Sequence, residues 1–207
     1  MLSVKALFTE YPNERGQIVR AAQNVSFEVG YKAPGVKSPD VYVLDVLSSI
    51  LSDGESSRLH RALVYEKQIA LSVGTSFQTR LDPALFEVYV EMKPGKTAAE
   101  GEKAVYEVFQ RLVAEGPTPR ELDKAKNLLE AHFVRQLRTN NGVGQTIGYY
   151  EHVFGDYRRM FETVPRYRAV TAADCQRVAK DIFDSRRRTV VELVPEKDAS
   201  ASASSTP

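Results

Sequence analysis

The feature that most limits the possible folds is the segment LFEVYVEMK at positions 85–93. Large apolar residues recur there at every second position: Phe86, Val88, Val90 and Met92. Glu87 and Glu91 lie between them. Side chains two positions apart point to the same face of a β-strand, whereas a helix would spread these four residues around its axis. The segment therefore predicts a half-buried strand in a sheet with one apolar face.

Three further segments show strand patterns. Val25–Lys32 alternates in the same way, beginning with Val25 and Phe27. Residues 69–80 are separated from the segment 85–93 by Leu81-Asp82-Pro83, a sequence that favours a turn. These two segments are therefore expected to form a β-hairpin. Thr189–Val194 is the last predicted strand.

Helix starts are marked by a repeated capping signature. A threonine is followed three residues later by an acid at Thr97–Glu100, Thr118–Glu121 and Thr171–Asp174, each time before an amphipathic run. The threonine hydroxyl accepts a hydrogen bond from the amide three residues on, and the acid accepts one from the threonine amide. Three helices are expected to begin there. Two more are expected earlier, one after Ser38-Pro39 and a shorter one that ends near Glu66.

The order of these elements is strand, two helices, two strands, several helices and a final strand. Adjacent hairpin strands and clustered helices predict an α+β fold, with an antiparallel sheet and helices packed on one of its faces. No linker interrupts residues 24–195, which are assigned to one domain. Residues 1–23 are predicted to form an extended lead-in. Residues 196–207 are rich in serine and alanine and are predicted to be a disordered tail.

Composition narrows the classes of function. The chain has 207 residues, and its 28 basic and 27 acidic side chains give a net charge of +1. A protein that binds nucleic acid usually carries a basic excess, so no nucleic-acid partner is expected. The chain contains no long apolar run, so no membrane span is expected. The N-terminal sequence is too polar for a signal peptide, and the compartment stays open between the bacterial periplasm and the cytoplasm.

Residues that could carry chemistry are few and scattered. His60, His132 and His152 lie in neither an H-x-x-E-H nor an H-E-x-x-H motif, which would place two metal ligands one helical turn apart. Cys175, the one cysteine, lies on an apolar helical stripe, which favours a structural thiol over an activated nucleophile. No residue is therefore assigned a catalytic, metal-binding or cofactor-binding role.

One stretch carries more than periodicity, namely GESSRLHRALVYEKQIALSVG at positions 54–74. It resembles a segment of the C-terminal domain of the pitrilysin/insulinase family of zinc metallopeptidases, which commonly reads G-x-x-S-R-L-x-x-x-L-R-x-x-x-G-L-A-Y-S-V. The preceding segment, VGYKAPGVKSPDVYVLDVLSSILSDG, is similar to the strand and helix before it in that family. EGPTPRELDKAKNLLEAHF is similar to the family's long second-half helix. The resemblance spans residues 15–195 and implies a homology domain of the LuxS and processing-peptidase type.

Members of this family, which includes the mitochondrial processing peptidase, are built from two halves of similar fold. In the zinc-binding members of the family, the N-terminal half carries the motif H-x-x-E-H, and the C-terminal half binds no zinc. This chain resembles the C-terminal, inactive half alone. No cofactor is therefore expected in this chain, and zinc is expected in the missing N-terminal half or in a partner subunit.

The resemblance also implies a position for a substrate-binding pair. In many family members the C-terminal half supplies an arginine and a tyrosine, seven residues apart, that point at the substrate. Alignment on Ser57-Arg58-Leu59 and Ser72-Val73 places Val64 at the arginine position and Leu71 at the tyrosine position. Neither side chain can donate a hydrogen bond to a substrate carbonyl. Arg58, Val64 and Leu71 are the candidates to line a substrate groove that lacks this polar pair.

The resemblance leads to two hypotheses about function. The first is a non-catalytic domain of a zinc metallopeptidase subunit, which forms part of a peptide-binding chamber and of a subunit interface. Its partners would be its own N-terminal peptidase domain, a homologous subunit in a homo- or heterodimer, and a peptide substrate. The alternative is a structural assembly subunit of the same fold with no proteolytic role. A third hypothesis, which does not depend on the resemblance, is an unrelated α+β binding module. No peptidase activity is expected from this chain alone.

Overall fold

The computed structural model describes residues 14–196. The strands are β1 (Arg15–Arg20), β2 (Ser26–Ala33), β3 (Ala70–Phe77), β4 (Ala84–Met92) and β5 (Arg188–Pro195). The α-helices are α1 (Asp40–Ser52), α2 (Ala98–Glu115), α3 (Pro119–Gln136), α4 (Asn140–Phe154), α5 (Thr163–Ala169) and α6 (Ala172–Ile182). A π-helix, His60–Glu66, precedes β3, and two 3₁₀ turns, Tyr157–Glu162 and Ser185–Arg187, precede α5 and β5.

The five strands form one sheet in the order β1-β5-β2-β4-β3. Strands β2 to β5 pair antiparallel with their neighbours, and the helices pack on one face of the sheet, which confirms the predicted α+β fold. Strand β1 adds a parallel pair with β5, so the sheet is mixed at this edge.

Strand β1 lies within the segment for which an extended lead-in was predicted, and the sheet therefore begins before residue 24. All six of its residues are exposed. Its sequence, RGQIVR, accordingly lacks the apolar alternation that would identify it as a strand. Its conformation depends on pairing with β5, beginning with a hydrogen bond of 2.9 Å from the Val190 amide to the Glu14 carbonyl. The earlier part of the lead-in and the predicted tail from residue 197 lie outside the described residues.

The core lies between the inner face of the sheet and the helix layer. The alternating residues of β4 (Phe86, Val88, Val90 and Met92) are all fully buried there. They belong to the same hydrophobic core as Leu44, Leu47 and Leu51 of α1, which are also fully buried. Each such side chain stabilises the fold by about 1.5–3 kcal/mol relative to an exposed one. The period-two pattern of β4 thus determines which face of the sheet the helices cover.

The three predicted capping boxes are present at the starts of α2, α3 and α6. At α2, the Glu100 amide donates to the Thr97 hydroxyl at 3.3 Å, and the Thr97 amide donates to the Glu100 carboxylate at 3.0 Å. These interactions satisfy amides that have no partner within the helix, and each cap is worth about 1 kcal/mol. The helix starts are therefore determined locally.

Candidate functional site

The segment from the π-helix to the start of β3 carries two of the predicted groove residues. At its turn, the Lys67 amide donates to the Ala62 carbonyl at 3.0 Å, and the Ile69 amide donates to the Leu63 carbonyl at 2.9 Å. Gln68 lies between them with a φ of 52°, a left-handed conformation that is uncommon outside glycine. The end of the π-helix and the start of β3 are therefore joined by a tight, hydrogen-bonded turn.

Val64 and Leu71 lie on the two sides of this turn. Val64 is on the π-helix and is half-buried against the hydrophobic core. Leu71 is near the start of β3, at a shift of register between Ala70 and Ser72, and 45% of its surface is exposed. Neither residue is enclosed in the core. Their role in lining a substrate groove stays a prediction.

Arg58, the third candidate, is engaged within the chain. Its Nε donates to Oε1 of Glu121 at 2.7 Å, and its Nη2 donates to Oε2 of Glu121 and to the Gly116 carbonyl at 2.8 Å each. Only 17% of the Arg58 side chain is exposed. These contacts connect the start of the π-helical segment to the junction between α2 and α3. Arg58 therefore holds two parts of the chain together, and its role toward a substrate stays a prediction.

The electrostatics of this pair are well defined. Burial by itself raises the pKa of Glu121, but the hydrogen bonds from Arg58 and from Thr118 outweigh burial and lower the pKa to about 2. Glu121 is therefore ionised throughout the neutral range. Because each partner is largely shielded from water, the loss of Arg58 would leave a desolvated carboxylate without its counter-ion.

On the outer face of the sheet, opposite the helices, a row of paired residues crosses all five strands. Pairing aligns Gly16 of β1, Val191 of β5, Glu28 of β2, Tyr89 of β4 and Gly74 of β3. Val191, Glu28 and Tyr89 are exposed. The glycines leave the two edge strands without side chains in this row. The row therefore forms a flat, amphipathic surface that spans the five strands, a width of about 20 Å.

Further acidic side chains lie on the same outer face. Glu87 is half-buried, and burial together with the neighbouring charge of Glu28 raises its pKa. Glu91 lies two residues after Tyr89 on β4 and accepts a hydrogen bond from the Asn24 side chain at 3.1 Å. We call this uncovered surface, with Val191, Glu28, Tyr89, Glu87 and Glu91, the open sheet face.

Residues that could hold a metal ion are dispersed. His60 is half-buried, whereas His132 and His152 are exposed on different helices. Within residues 14–196, no group of three His, Cys, Asp or Glu side chains is arranged to hold a metal. The residues in this part of the chain therefore do not fit the zinc that the resemblance implies for the whole protein. Cys175 is buried, and burial raises the pKa of its thiol to about 12.

None of the helices in the described part of the chain combines the length and the apolar character that are needed to cross a bilayer.

Comparison with known families decides the assignment. The sequence profile described as "Peptidase M16 inactive domain" matches residues 3–129, more than half of the chain. The chain belongs to this family. The resemblance predicted from residues 54–74 is thereby confirmed.

Curated relatives of this M16 inactive domain are named zinc proteases. The present chain is 28% identical to zinc protease PqqE of Helicobacter pylori over 167 residues, which cover 81% of this chain and 37% of that protein. It is 27% identical to an uncharacterized zinc protease of Streptomyces coelicolor over 202 residues, which cover 92% of this chain and 43% of that protein. The chain thus spans well under half the length of these relatives.

Solved structures show the same fold. A protease from Helicobacter pylori superposes with a TM-score of 0.82 at 25% identity, over 89% of this chain and 44% of that chain. A peptidase M16 inactive domain from Pseudomonas fluorescens superposes with a TM-score of 0.79 at 17% identity, over 89% of this chain and 44% of that chain. The inactive peptidase domain from Bordetella parapertussis gives a TM-score of 0.76 at 25% identity and is covered over 96% of its length.

Two features of the M16 inactive domain were not predicted from the sequence: a row of three residues on the open sheet face, and the single residue Asp45. The row Val191, Glu28 and Tyr89 was hidden because each member comes from a different strand. Asp45 was also missed, although its position in α1 between buried Leu44 and Val46 is an unusual one for an acid. That position was the available signal.

Proposed function

We propose that this M16 inactive domain is the non-catalytic C-terminal half of a zinc protease subunit and forms one wall of a peptide-binding chamber. The zinc and the catalytic residues belong to the other half of the subunit or to a partner subunit. The open sheet face is the surface turned toward the peptide. The observation that carries this proposal is the exposure of Tyr89 and Val191 on a sheet face that no helix of the described chain covers.

The second support is the free edge of β3. Among the strands of residues 14–196, β3 is the last in the sheet and pairs with β4 on one side only. An edge strand offers unpaired backbone donors and acceptors to an extended peptide, while neighbouring side chains supply selectivity. Leu71 and Ser72 lie at the start of this edge and are exposed. A peptide added along β3 would therefore pass next to the predicted groove residues.

The third support is the coverage of the relatives. The named zinc proteases are more than twice as long as the matched segment, so more than half of such a protein lies outside the region of similarity. We propose that an equivalent N-terminal domain and a homologous subunit are the partners of this chain. The domain would then contribute to a subunit interface as well as to the chamber.

The experiment supplies the zinc-bearing half as a separate protein and measures both association and cleavage of an extended fluorogenic peptide. Tyr89→Lys and Val191→Lys are expected to weaken peptide binding at least about fivefold while leaving the melting temperature unchanged, since both side chains are exposed. Phe161→Lys is the matched control, because Phe161 is an exposed apolar residue on the 3₁₀ turn in the helix layer.

The outcomes separate the two hypotheses. Cleavage that appears when the two halves are mixed, and that is reduced by the open-face variants but not by the control, would support the role of this domain as a chamber wall. Tight association of the two halves with no gain in cleavage would instead support a structural assembly subunit. Equal peptide binding by all variants would remove the open sheet face from the proposal.

A further inference from the structure

A second surface feature lies in the helix layer, on the other side of the molecule from the open sheet face. It is a pocket of about 460 Å³ between four helices. Its principal lining residues are Tyr42 and Asp45 of α1, Phe133 of α3, Tyr149 and Tyr150 of α4, and Tyr167 of α5. We call it the tyrosine pocket. Its volume is within the range of small-molecule sites, about 300–1,000 Å³.

The acidic group in this pocket is the carboxylate of Asp45, and the lining also includes the polar side chains of His132, Gln136 and Gln145. Oδ2 of Asp45 accepts a hydrogen bond from the Tyr167 hydroxyl at 2.6 Å. Within residues 14–196, Tyr167 is the hydrogen-bond donor to Asp45, and no lysine, arginine or histidine forms an ion pair with it. Burial raises the pKa of Asp45 to about 6, against the opposing effect of the Tyr167 hydrogen bond. At neutral pH the pocket therefore holds an ionised carboxylate without a counter-ion.

The walls of the pocket are aromatic and firmly held. Tyr42 and Tyr167 contact each other edge to face, with ring centroids 5.2 Å apart, and Tyr149 and Tyr150 do so at 5.4 Å. The Tyr150 hydroxyl shares a hydrogen bond of 2.5 Å with Thr163. These contacts fix the ring orientations before any ligand arrives, which lowers the entropy cost of binding.

Two rings of the pocket lining, Phe154 and Tyr42, already stack with arginines of this chain that line a neighbouring cavity. The Arg159 guanidinium lies 4.7 Å from the centroid of the Phe154 ring, and the Arg166 guanidinium lies 5.6 Å from that of Tyr42. Aromatic faces attract cations through the ring quadrupole, and the attraction increases when the cation is shielded from water. The tyrosine rings line the same pocket as the Asp45 carboxylate, so a cation in the pocket would have aromatic and acidic neighbours.

We propose that the tyrosine pocket binds an organic cation, an ammonium or guanidinium group on an aliphatic stem, with Asp45 as its counter-ion and the tyrosine rings as its walls. The cation has two possible sources that share this chemistry. One is a lysine or arginine side chain of a peptide, and the other is a free amine. The proposal does not rest on the proposed chamber function, because the pocket and the open sheet face lie on opposite sides of the sheet.

The test is a titration followed by amide chemical shifts at about pH 7.5, where Asp45 is ionised. The peptide probes are the blocked tripeptides acetyl-Gly-Lys-Gly-amide and acetyl-Gly-Arg-Gly-amide, and acetyl-Gly-Gln-Gly-amide is the neutral control. The free-amine probes are n-pentylamine and agmatine, and n-pentanol is the neutral control. Cationic probes are expected to shift amides of α1, α4 and α5, and the neutral ones are not.

Two variants connect binding to named residues. Asp45→Asn keeps the shape and an acceptor for Tyr167, and it is expected to weaken cation binding at least about tenfold. Tyr149→Ala removes a wall residue that is 40% exposed and is expected to weaken binding at least about threefold without unfolding the domain. Thermal melts of both variants verify that they are folded.

Binding by the tripeptides alone would identify a peptide side chain as the source, and binding by the free amines alone would identify a small amine. Either result supports the pocket. Absence of shifts in α1, α4 and α5 at about 20 mM probe, or equal affinity for the neutral controls, would overturn the proposal.

Discussion

Arg58 and Glu121 form a bidentate ion pair, in which Arg58 Nε lies 2.7 Å from Glu121 Oε1 and Arg58 Nη2 lies 2.8 Å from Glu121 Oε2. Arg58 comes from the segment that leads into the π-helix. Glu121 comes from the first turn of α3, where it also completes the capping box of Thr118. One carboxylate therefore serves a local helix cap and a contact between residues 63 positions apart.

The first prediction concerns this pair. Arg58→Ala is expected to lower the free energy of unfolding by about 2 kcal/mol, because Glu121 would keep its charge in a largely shielded site. Arg61→Ala is the matched control: its pair with Glu66 also has an N–O distance of 2.7 Å, but 69% of the Arg61 side chain is exposed. Its loss is expected to cost under about 0.5 kcal/mol. Urea unfolding of both variants at neutral pH measures the difference, and equal effects would contradict the structural role of Arg58.

The second prediction concerns the pH dependence of stability through Asp45. The folded-state pKa of Asp45 is about 6, above the value of about 3.9 in an unfolded chain. Between these values the folded state binds more protons, so this group makes its best contribution to stability below about pH 4. That contribution declines as pH rises through 6, by about 2–3 kcal/mol in total.

Asp45→Asn removes this titration while keeping an acceptor for Tyr167. The variant is therefore expected to gain stability over the unmodified protein at about pH 7.5 and to show little gain at about pH 4. Urea unfolding at both pH values measures the difference between the two proteins, in which effects common to both, such as protonation of Glu121, cancel. A gain of equal size at both pH values would show that Asp45 does not titrate as described.

The third prediction concerns the two groove candidates. Val64 is half-buried and Leu71 is exposed, so Leu71→Tyr is expected to change stability by less than about 0.5 kcal/mol and Val64→Arg by about 1–2 kcal/mol. Leu63→Arg is the control at the neighbouring, fully buried position, and it is expected to abolish folding because it buries an unpaired charge. Thermal melts distinguish these results. If the single substitution Val64→Arg also abolished folding, Val64 would be excluded from an open groove.

The fourth prediction concerns metal content. The protein purified without added zinc is expected to contain well under one equivalent and to cleave no peptide by itself, since residues 14–196 show no arrangement of three metal-binding side chains. Elemental analysis and a peptidase assay with and without chelator measure both properties. A tightly bound equimolar zinc with chelator-sensitive cleavage would contradict the assignment as an inactive domain.

The elements that could be predicted from the sequence are those governed by contacts between near neighbours. The capping boxes at Thr97, Thr118 and Thr171 join residues three apart, so their residue types alone predict them. The alternation in β4 likewise follows from the pleat of one strand, and it correctly predicted the buried face. Residues 54–74 similarly indicated the family, because the order of their residue types is itself the signal.

What only the tertiary structure decided depends on contacts between distant segments. The strand β1 has no buried face, and hydrogen bonds to β5, more than 160 residues later, hold it in place. The open row of Val191, Glu28 and Tyr89 arises from the register of three strands. The tyrosine pocket exists only because α1, α3, α4 and α5 meet around Asp45. A sequence pattern reports the burial of a residue within its own helix or strand, whereas a shared surface requires the relative placement of several elements, which the packing of the whole core determines.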